Sequence, residues 1–548
     1  MDARKWFQYH RVSGDRNLIQ LSSAAESGSV DVAADESFDR APTTRMLAIA
    51  GLTASWIFGI ICVVFGSGNI LKPTISVASK NTTQRYHNWP QLNISSVAGE
   101  LLPLLVNTIV TLLVEGMGLI HSTTLRWTLC DRLAFNSNLR IFTASDKHAC
   151  LGKVSNFLHA VFLIMTYAGA SLMIATSPAE SFCNNVSGVG QDKEQGCGDM
   201  VVLSTPSLSC LGVGFLGQAA LTTWQFFDIS VPTWSTNPLD TAWASISTGS
   251  RTRVAGRCMM SVHDAEIPTA PRQTQPQQQS IWKSHSEARW VMSYNWLVTW
   301  ILLLIFIIVQ VVLVERDKYF KGSDERCNGC NVYLGTNWNL LRDSGSAPMS
   351  AAIIVEYSPS IYAGLWIVFA ILQGILTLAL HCADLIIAVS RDEDTWRKCY
   401  AQTIRGDLRP NAQTIRRNLR PNALIRAATS WLAVMVFLLK VVLHWLFGNA
   451  ISYAYNWGIF LRPPPLLYLS IGSFLLSAFV TYVCFRRPGG EQPATFGHIQ
   501  TLVNLIDVWH LDLFWGDKGA ARDGPEGVRH AGTASRPLEE VIQGQLYE

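Results

Sequence analysis

The sequence predicts an all-α fold: a polytopic transmembrane helix bundle of about eight spans, with both termini in the cytosol. Three observations carry this reading. Apolar residues make up 49% of the 548 and charged residues only 15%, against about 25% in ordinary soluble domains. Mean hydropathy is positive, at +0.20. The apolar residues are also gathered into runs of about 20, the length a helix needs to cross about 30 Å of hydrocarbon. The net charge of +3 is small and no acidic or basic tail is present, which excludes a nucleic-acid partner and leaves the lipid bilayer as the expected one.

Residues 1–45 are polar, rich in Ser and Ala with scattered acids, and read as a disordered cytosolic tail. No cleavage site follows a basic and apolar start, so Met46–Phe65 is expected to act as an uncleaved signal anchor. The eight-span domain covers 46–487, with spans at about 46–65, 101–120, 157–175, 207–227, 297–314, 362–380, 427–447 and 465–485. The fourth is diluted by STPSLSC and GVG, yet no charge falls between Asp199 and Asp228. Lys and Arg placement decides for it, because cytosolic loops retain positive charge. With eight spans the inner segments hold 32 basic residues and the outer loops 10, whereas omitting the fourth reverses the bias to 17 and 25.

Three glycosylation acceptors, Asn81, Asn93 and Asn185, all fall in loops that this count places outside, as expected in a secretory-pathway or plasma membrane. Four of the twelve cysteines also lie there: Cys183, Cys197, Cys327 and Cys330. An even number in an oxidising compartment suggests two disulfides, with proximity favouring Cys183–Cys197 and Cys327–Cys330 among three connectivities. The CNGC string at 327–330 has no second C-x-x-C or His pair beside it, so a structural staple is preferred to a metal site.

The inner segments hold most of the distinctive sequence. Residues 228–290 contain PTAPRQTQPQQQS and read as a Pro/Gln-rich linker. Residues 390–426 form a basic loop with a tandem duplication, AQTIRGDLRPN followed by AQTIRRNLRPN, suited either to anionic lipid headgroups or simply to fixing topology. Within 488–519, Ile499, Leu502, Val503, Ile506 and Trp509 recur at helical spacing opposite Gln500, Asn504 and Asp507. This predicts an amphipathic helix over 497–515, docked on the inner loops, with Trp509 and Trp515 buried. Residues 520–548 read as a disordered tail.

Several strings resemble a family of fungal multi-pass membrane proteins of uncharacterised function. They are TLRWTLCDRLAFNSNLRIF (124–142), PTWSTNPL (232–239), GRCMMSVH (256–263), HCADLIIAVSRDEDTWRK (381–398), and GHIQTLVNLIDVW with LFWGDKG near the end. The resemblance covers residues 45–520 and implies a fungal membrane protein. It attaches no activity and no site residue.

No GxxxxGK[ST], HExxH, GxSxG or kinase-like set is present, which disfavours an ATP-driven pump or a standard hydrolase, and no cofactor is expected. The chemical handles that remain are ionisable residues inside spans, each costing about 2.5–3.5 kcal/mol at a helix centre. Glu115 lies in the inner third of the second span, and Lys440 near the middle of the seventh with His444 one turn on. His381 and Asp384 share a face at the inner end of the sixth, where headgroups would solvate them. Arg126, Arg132 and Arg140 in the loop 121–154 are expected to anchor at the interface or bind an anionic headgroup. Two classes of function follow: a solute or ion transporter or channel, and a sensor or scaffold with no transport path. The first requires Glu115 to meet Lys440 or a His of another span around an accessible space.

Overall fold

The computed structural model describes residues 39–70, 96–129, 135–177, 200–321, 359–404, 430–454, 458–510, 513–521 and 526–548, with short pieces at 75–79, 82–86, 91–92, 94, 351–353 and 428. The acceptor asparagines 81, 93 and 185, the cysteines 183, 197, 327 and 330, Arg132 and most of the duplication lie outside them.

Ten helices of seven residues or more organise the described chain: α1 Pro42–Ile70, α2 Ser96–Thr128, α3 Lys153–Leu172, α4 Thr205–Asp228, α5 Pro238–Ser247, α6 Ser286–Lys321, α7 Pro359–Ile404, α8 Trp431–Ala450, α9 Pro463–Phe485 and α10 Ile499–Leu505. Seven of them (α1, α2, α3, α6, α7, α8 and α9) are long and apolar enough to cross a membrane, which makes this an integral membrane protein. Their outer faces are apolar too. On α6, Val298, Leu302, Val309 and Leu313 are buried, while Leu297, Trp300, Leu304, Ile307, Ile308 and Val311 are exposed. A helix apolar all round has lipid rather than water on its free side.

α4 is 24 residues long but falls short of those seven in apolarity. Its place in the bundle explains why. A Cβ at Gly212 would lie 2.7 Å from the Val63 nitrogen on α1, and one at Gly214 would lie 2.6 Å from Thr166 Oγ1 on α3. Small residues let α4 wedge between two neighbours at backbone distance, where packing replaces contact with lipid.

The connecting segments gather into two sets. One holds the antiparallel pair β1 (Ile75–Ser79) and β2 (Thr82–Tyr86), then β3 (Gln91–Leu92), β4 (Ile174–Ser177) and β5 (Met200–Leu203) in a sheet of order β3-β5-β4, and β7 (Ala351–Ile353), β8 (Ile451–Ala454) and β9 (Gly458–Leu461) in a sheet of order β7-β9-β8. The other is a cap built from 135–152, 228–285, the end of α7 and the described residues after α9. α4 runs from β5 in the first set to the cap, where the Trp234 amide donates to the Arg40 carbonyl at the start of α1 (3.2 Å).

The cap overturns three expectations. Residues 228–290 are not a linker: they form α5, a 3-10 turn at Val262–Asp264 and β6 (Arg272–Gln273). Gln278, within the Gln-rich string, is buried, and its amide donates to the Pro488 carbonyl at 2.9 Å. The helix expected over 497–515 stops at Leu505, and Phe514–Ala520 is a strand, β10. The tail, expected to be disordered over 520–548, has structure over 526–548 as well. β11 (Arg529–Ala534) and β12 (Leu546–Tyr547) complete a four-stranded sheet of order β10-β11-β12-β6. Trp515 is fully buried, as expected, and Trp509 is half-buried, stacked on Trp243 at 5.0 Å.

What stops the helix is Asp507. Its carboxylate accepts from the Thr533 amide (2.6 Å), Lys518 Nζ (2.7 Å) and His530 Nε2 (3.1 Å), which ties the chain to β11 instead of to another helical turn. The cap is held to the bundle through α7. Glu393 accepts from the Thr495 and Phe496 amides, each at 2.8 Å, and from Arg397 Nε at 2.7 Å. Gly497 turns the chain at φ +74°, and a Cβ there would meet Asp392 Oδ2 at 2.7 Å.

Burial raises the Asp507 carboxyl, but hydrogen bonds from His530, Lys518 and the Thr533 amide outweigh it and hold the group well below its usual range. The hydrogen bond to Asp507 is the largest cause raising His530, to about 10. The raised His530 contributes stability in full below its unfolded value, about 6.5, and loses it as pH climbs through about 10. The depressed Asp507 contributes above its unfolded value, about 3.9, and loses that as pH falls. Hydrogen exchange across β10 and β11, corrected for intrinsic rate, should therefore show greatest protection between about pH 4 and 6.5. Above that, opening should rise by up to about tenfold per pH unit. His530→Gln should abolish the alkaline rise, and an unchanged profile in that variant would refute the assignment.

Candidate functional site

Four charged side chains from four separate elements meet inside the bundle. Lys440 Nζ on α8 donates to Glu115 Oε1 on α2 at 2.6 Å and to Asp384 Oδ2 on α7. Arg140, in the 3-10 turn Arg140–Phe142, donates from Nη2 to Glu115 Oε2 at 3.1 Å and lies 3.6 Å from Asp384 Oδ2. His381 Nδ1, one turn before Asp384, is 3.9 Å from Glu115 Oε1. Two carboxylates face two cations, so the group is neutral as a whole, the condition for keeping ions out of water.

Local sequence makes room for this. Glu115 sits in the string Glu115-Gly116-Met117-Gly118. A Cβ at Gly116 would stand 3.4 Å from the Gly51 Cα of α1, and one at Gly118 would stand 2.9 Å from Arg140 Nη1. The first glycine brings α1 against α2, and the second clears the way for the guanidinium. Arg140 itself adopts φ +51°, a left-handed conformation that strains a non-glycine residue, and its amide donates to Asn138 Oδ1 at 2.9 Å. Backbone of this kind costs on the order of 1 kcal/mol or more and persists where its surroundings demand it.

The tetrad has a closed and an open side. The Lys440 side chain is 2% exposed, whereas Glu115, Asp384 and Arg140 are 28%, 23% and 24% exposed. Glu115, His381 and Asp384 each offer a ligand atom within 4.8 Å of the others, the spacing of a cation site. The Lys440 ammonium, bonded to both carboxylates, is the cation that stands there.

The sequence brings Glu115 and Lys440 forward, and the structure joins them. It corrects the other assignments. His381 and Asp384 do not sit at a helix end, because α7 continues for five more turns to Ile404, and Asp384 is a full member of the ion network. Arg140 is not an interfacial anchor. Arg126 is buried, and its Nη1 donates to Asn136 Oδ1 (2.7 Å), Thr241 Oγ1 (2.9 Å) and the Ser235 carbonyl, which removes it from headgroups. His444 stands beside the tetrad rather than in it: its ring stacks on Tyr167 at 3.9 Å and its Nδ1 meets Gln373 Nε2 at 2.6 Å. Tyr167, Gln373, His121 and His159 also gather here; as uncharged polar residues within apolar runs they carry no signal in the sequence.

No known protein family, no curated protein and no solved structure matches the chain.

Removing one partner of a buried ion group strands the rest. Lys440→Met leaves two carboxylates facing Arg140 alone and should destabilise the detergent-solubilised protein by about 3–5 kcal/mol. Lys440→Met/Glu115→Gln restores one anion to one cation and should recover more than half of that loss in thermal unfolding. An additive double variant would mean that the charges are not coupled.

Proposed function

We propose that this chain is a transporter of ions or small solutes whose coupling site is the tetrad of Glu115, Asp384, Lys440 and Arg140. One observation carries the reading: two carboxylates from different helices share a tethered ammonium deep in the bundle, and both are partly accessible to a water-sized molecule. A purely structural tie has little need of such an arrangement, since apolar residues of similar volume hold helices together as well or better. Ionisable groups in a membrane interior are found where protons or ions are handled. A proton arriving on Glu115 or Asp384 cancels one attraction on Lys440 and frees the remaining charges to rearrange. A cation of the right size competes with the ammonium for the same oxygens. The sensor or scaffold reading is favoured by a different feature, the ordered cap locked to α7 through Glu393.

The topology that goes with this has eight crossings, α4 included. The cap and both termini are cytosolic, and the segments 66–100, 176–200, 315–361 and 448–464 face outward. The passage of α4 from β5 to the cap supports it, as does the excess of Lys and Arg on the cap side. In that arrangement Asn81, Asn93 and Asn185 are open to glycosylation and Cys183, Cys197, Cys327 and Cys330 to oxidation, in a plasma or secretory-pathway membrane of a fungus. A cysteine at Thr252, exposed on the cap, should react with an impermeant maleimide only after cells are permeabilised. Labelling from outside intact cells would sink the eight-crossing arrangement.

Purified protein in liposomes, with a pH-sensitive dye inside, tests the tetrad. The wild type should dissipate an imposed proton gradient, alone or with a co-substrate from a solute panel. Glu115→Gln should lower that rate by about a hundredfold or more, on the scale of removing a proton-transferring group, while still reconstituting as a monodisperse protein with the reduced thermal stability that one uncompensated cation brings. Equal rates in wild type and variant would leave the site structural and favour the scaffold.

A further inference from the structure

Beside the tetrad lies a cavity of about 30 Å³ with mostly apolar walls, whose polar lining is His121, His159, Gln218, His381 and Arg140. That is room for a water molecule or two. The lining residues carry polar atoms with no partner among the described residues: His121 Nε2, both ring nitrogens of His159, Gln218 Oε1 and His381 Nε2. His121, His159 and Gln218 are 1%, 5% and 0% exposed. Buried polar groups are almost always paired, so a concentration of orphans around one small space points to water within it.

Hydrogen bonds at the rim assign roles to these atoms. Gln225 Nε2 donates to the Cys150 carbonyl at 3.1 Å, which fixes the amide so that its Oε1 faces His121 Nδ1, also at 3.1 Å. A carboxamide oxygen only accepts, so His121 carries its proton on Nδ1 and presents Nε2 as a bare acceptor. Gln218 is fixed likewise: its Nε2 donates to Thr166 Oγ1 at 2.7 Å, leaving Oε1 as an acceptor. The His121 and His159 rings meet edge to face at 4.9 Å. Across the cavity, His381 reaches Glu115 through Nδ1. Arg140 is the charged group facing the cavity, and Glu115 and Asp384 already engage its guanidinium. The unsatisfied groups are thus mainly acceptors, which suit water and hydronium rather than an anion.

We propose that this cavity is a hydrated histidine relay that carries protons between His121 and His159 on one side and the His381–Glu115 pair on the other. His121 takes the proton up on Nε2 and returns it to cavity water from the same atom, because Gln225 Oε1 cannot receive the Nδ1 proton; at His159 and His381 a proton is taken up on one nitrogen and another is released from the second, so the ring returns to neutrality as the opposite tautomer. Water in the cavity passes the proton to His381, and His381 passes it to the Glu115 carboxylate, which becomes a neutral acid and leaves Lys440 to Asp384. One proton moves and nothing is oxidised or reduced. Beyond Gln225, which bonds the Cys150 carbonyl, the exposed Asp228 meets His148 Nδ1 and the Cys150 thiol, both at 3.3 Å.

The relay rests on the tetrad exchanging protons, and the liposome assay separates the two ideas. His159→Ala should slow proton flux at least about tenfold, and millimolar 4-methylimidazole should restore it in proportion to its concentration, because the added ring replaces the missing one. Recovery in the same sample also shows that the variant is folded. His159→Gln, which keeps hydrogen-bonding capacity without proton exchange, should stay slow. Wild-type flux in both His159 variants alongside an inactive Glu115→Gln would overturn the relay and leave the tetrad standing. Slow His159→Ala without imidazole rescue would overturn it too. An absence of flux in the wild type, or full flux in Glu115→Gln, would remove both.

Discussion

An ammonium held in an apolar bundle has to find anions within reach, and much of this structure follows from how Lys440 does so. Unpaired, such a charge would carry several kcal/mol of desolvation. Two carboxylates from two other helices meet it, which creates an excess of one negative charge, and Arg140 removes that excess from the loop side. Each step constrains something further away. Asp384 can take part only if α7 remains helical beyond its most apolar stretch. Arg140 can enter only past a glycine at 118, and only with its own backbone in a strained conformation. The neutral sum makes the site tolerable, and its dependence on four elements makes it cooperative.

The span-forming helices were legible because hydrocarbon imposes a length and a composition that few other environments do. α4 is instructive in falling short on apolarity. Its glycines and hydroxyls dilute the hydropathy signal for the same reason that they allow it to sit between α1 and α3, so only the charge count across the loops argued for it. The cap was not legible. Its strands are two to seven residues long, and β11 buries Ala531, Gly532 and Thr533, residues too small to leave an alternating apolar pattern. The apolar period over 499–509 was real but belonged to a seven-residue helix followed by an extended turn, because the partners of Asp507 lie 11 to 26 residues further along. Long-range pairing of that kind has no local signature.

The site divides in the same way. Glu115 and Lys440 announce themselves because a charge in an apolar run is costly and therefore conspicuous. Asp384 is less conspicuous because the apolar run ends near it, although α7 continues to Ile404 with its second half packed against the cap. Arg140 was read by the company it keeps in sequence, Arg126 and Trp127, yet Arg126 is consumed by Asn136 and Thr241 while Arg140 turns inward. Histidines 121 and 159 carry no formal charge and so left no trace in a census of charges, although their unpaired nitrogens are among the least accounted-for atoms in the bundle.

α7 links these features physically. Along one continuous helix it presents His381 and Asp384 to the tetrad, then Asp392 and Glu393 to the turn at Thr495–Gly497 that roots the cap. The interval from Asp384 to Glu393 is nine residues, or about 13–14 Å of helix. A helix resists bending over that distance, so a shift of Asp384 on losing its ammonium partner is delivered to Glu393 largely as translation or rotation. Glu393 accepts two backbone amides and a guanidinium at once, a geometry that follows such a motion or breaks. The two proposed readings of function therefore meet on one mechanical element: ion exchange at the tetrad, or signalling through the cap, would each act through the position of α7.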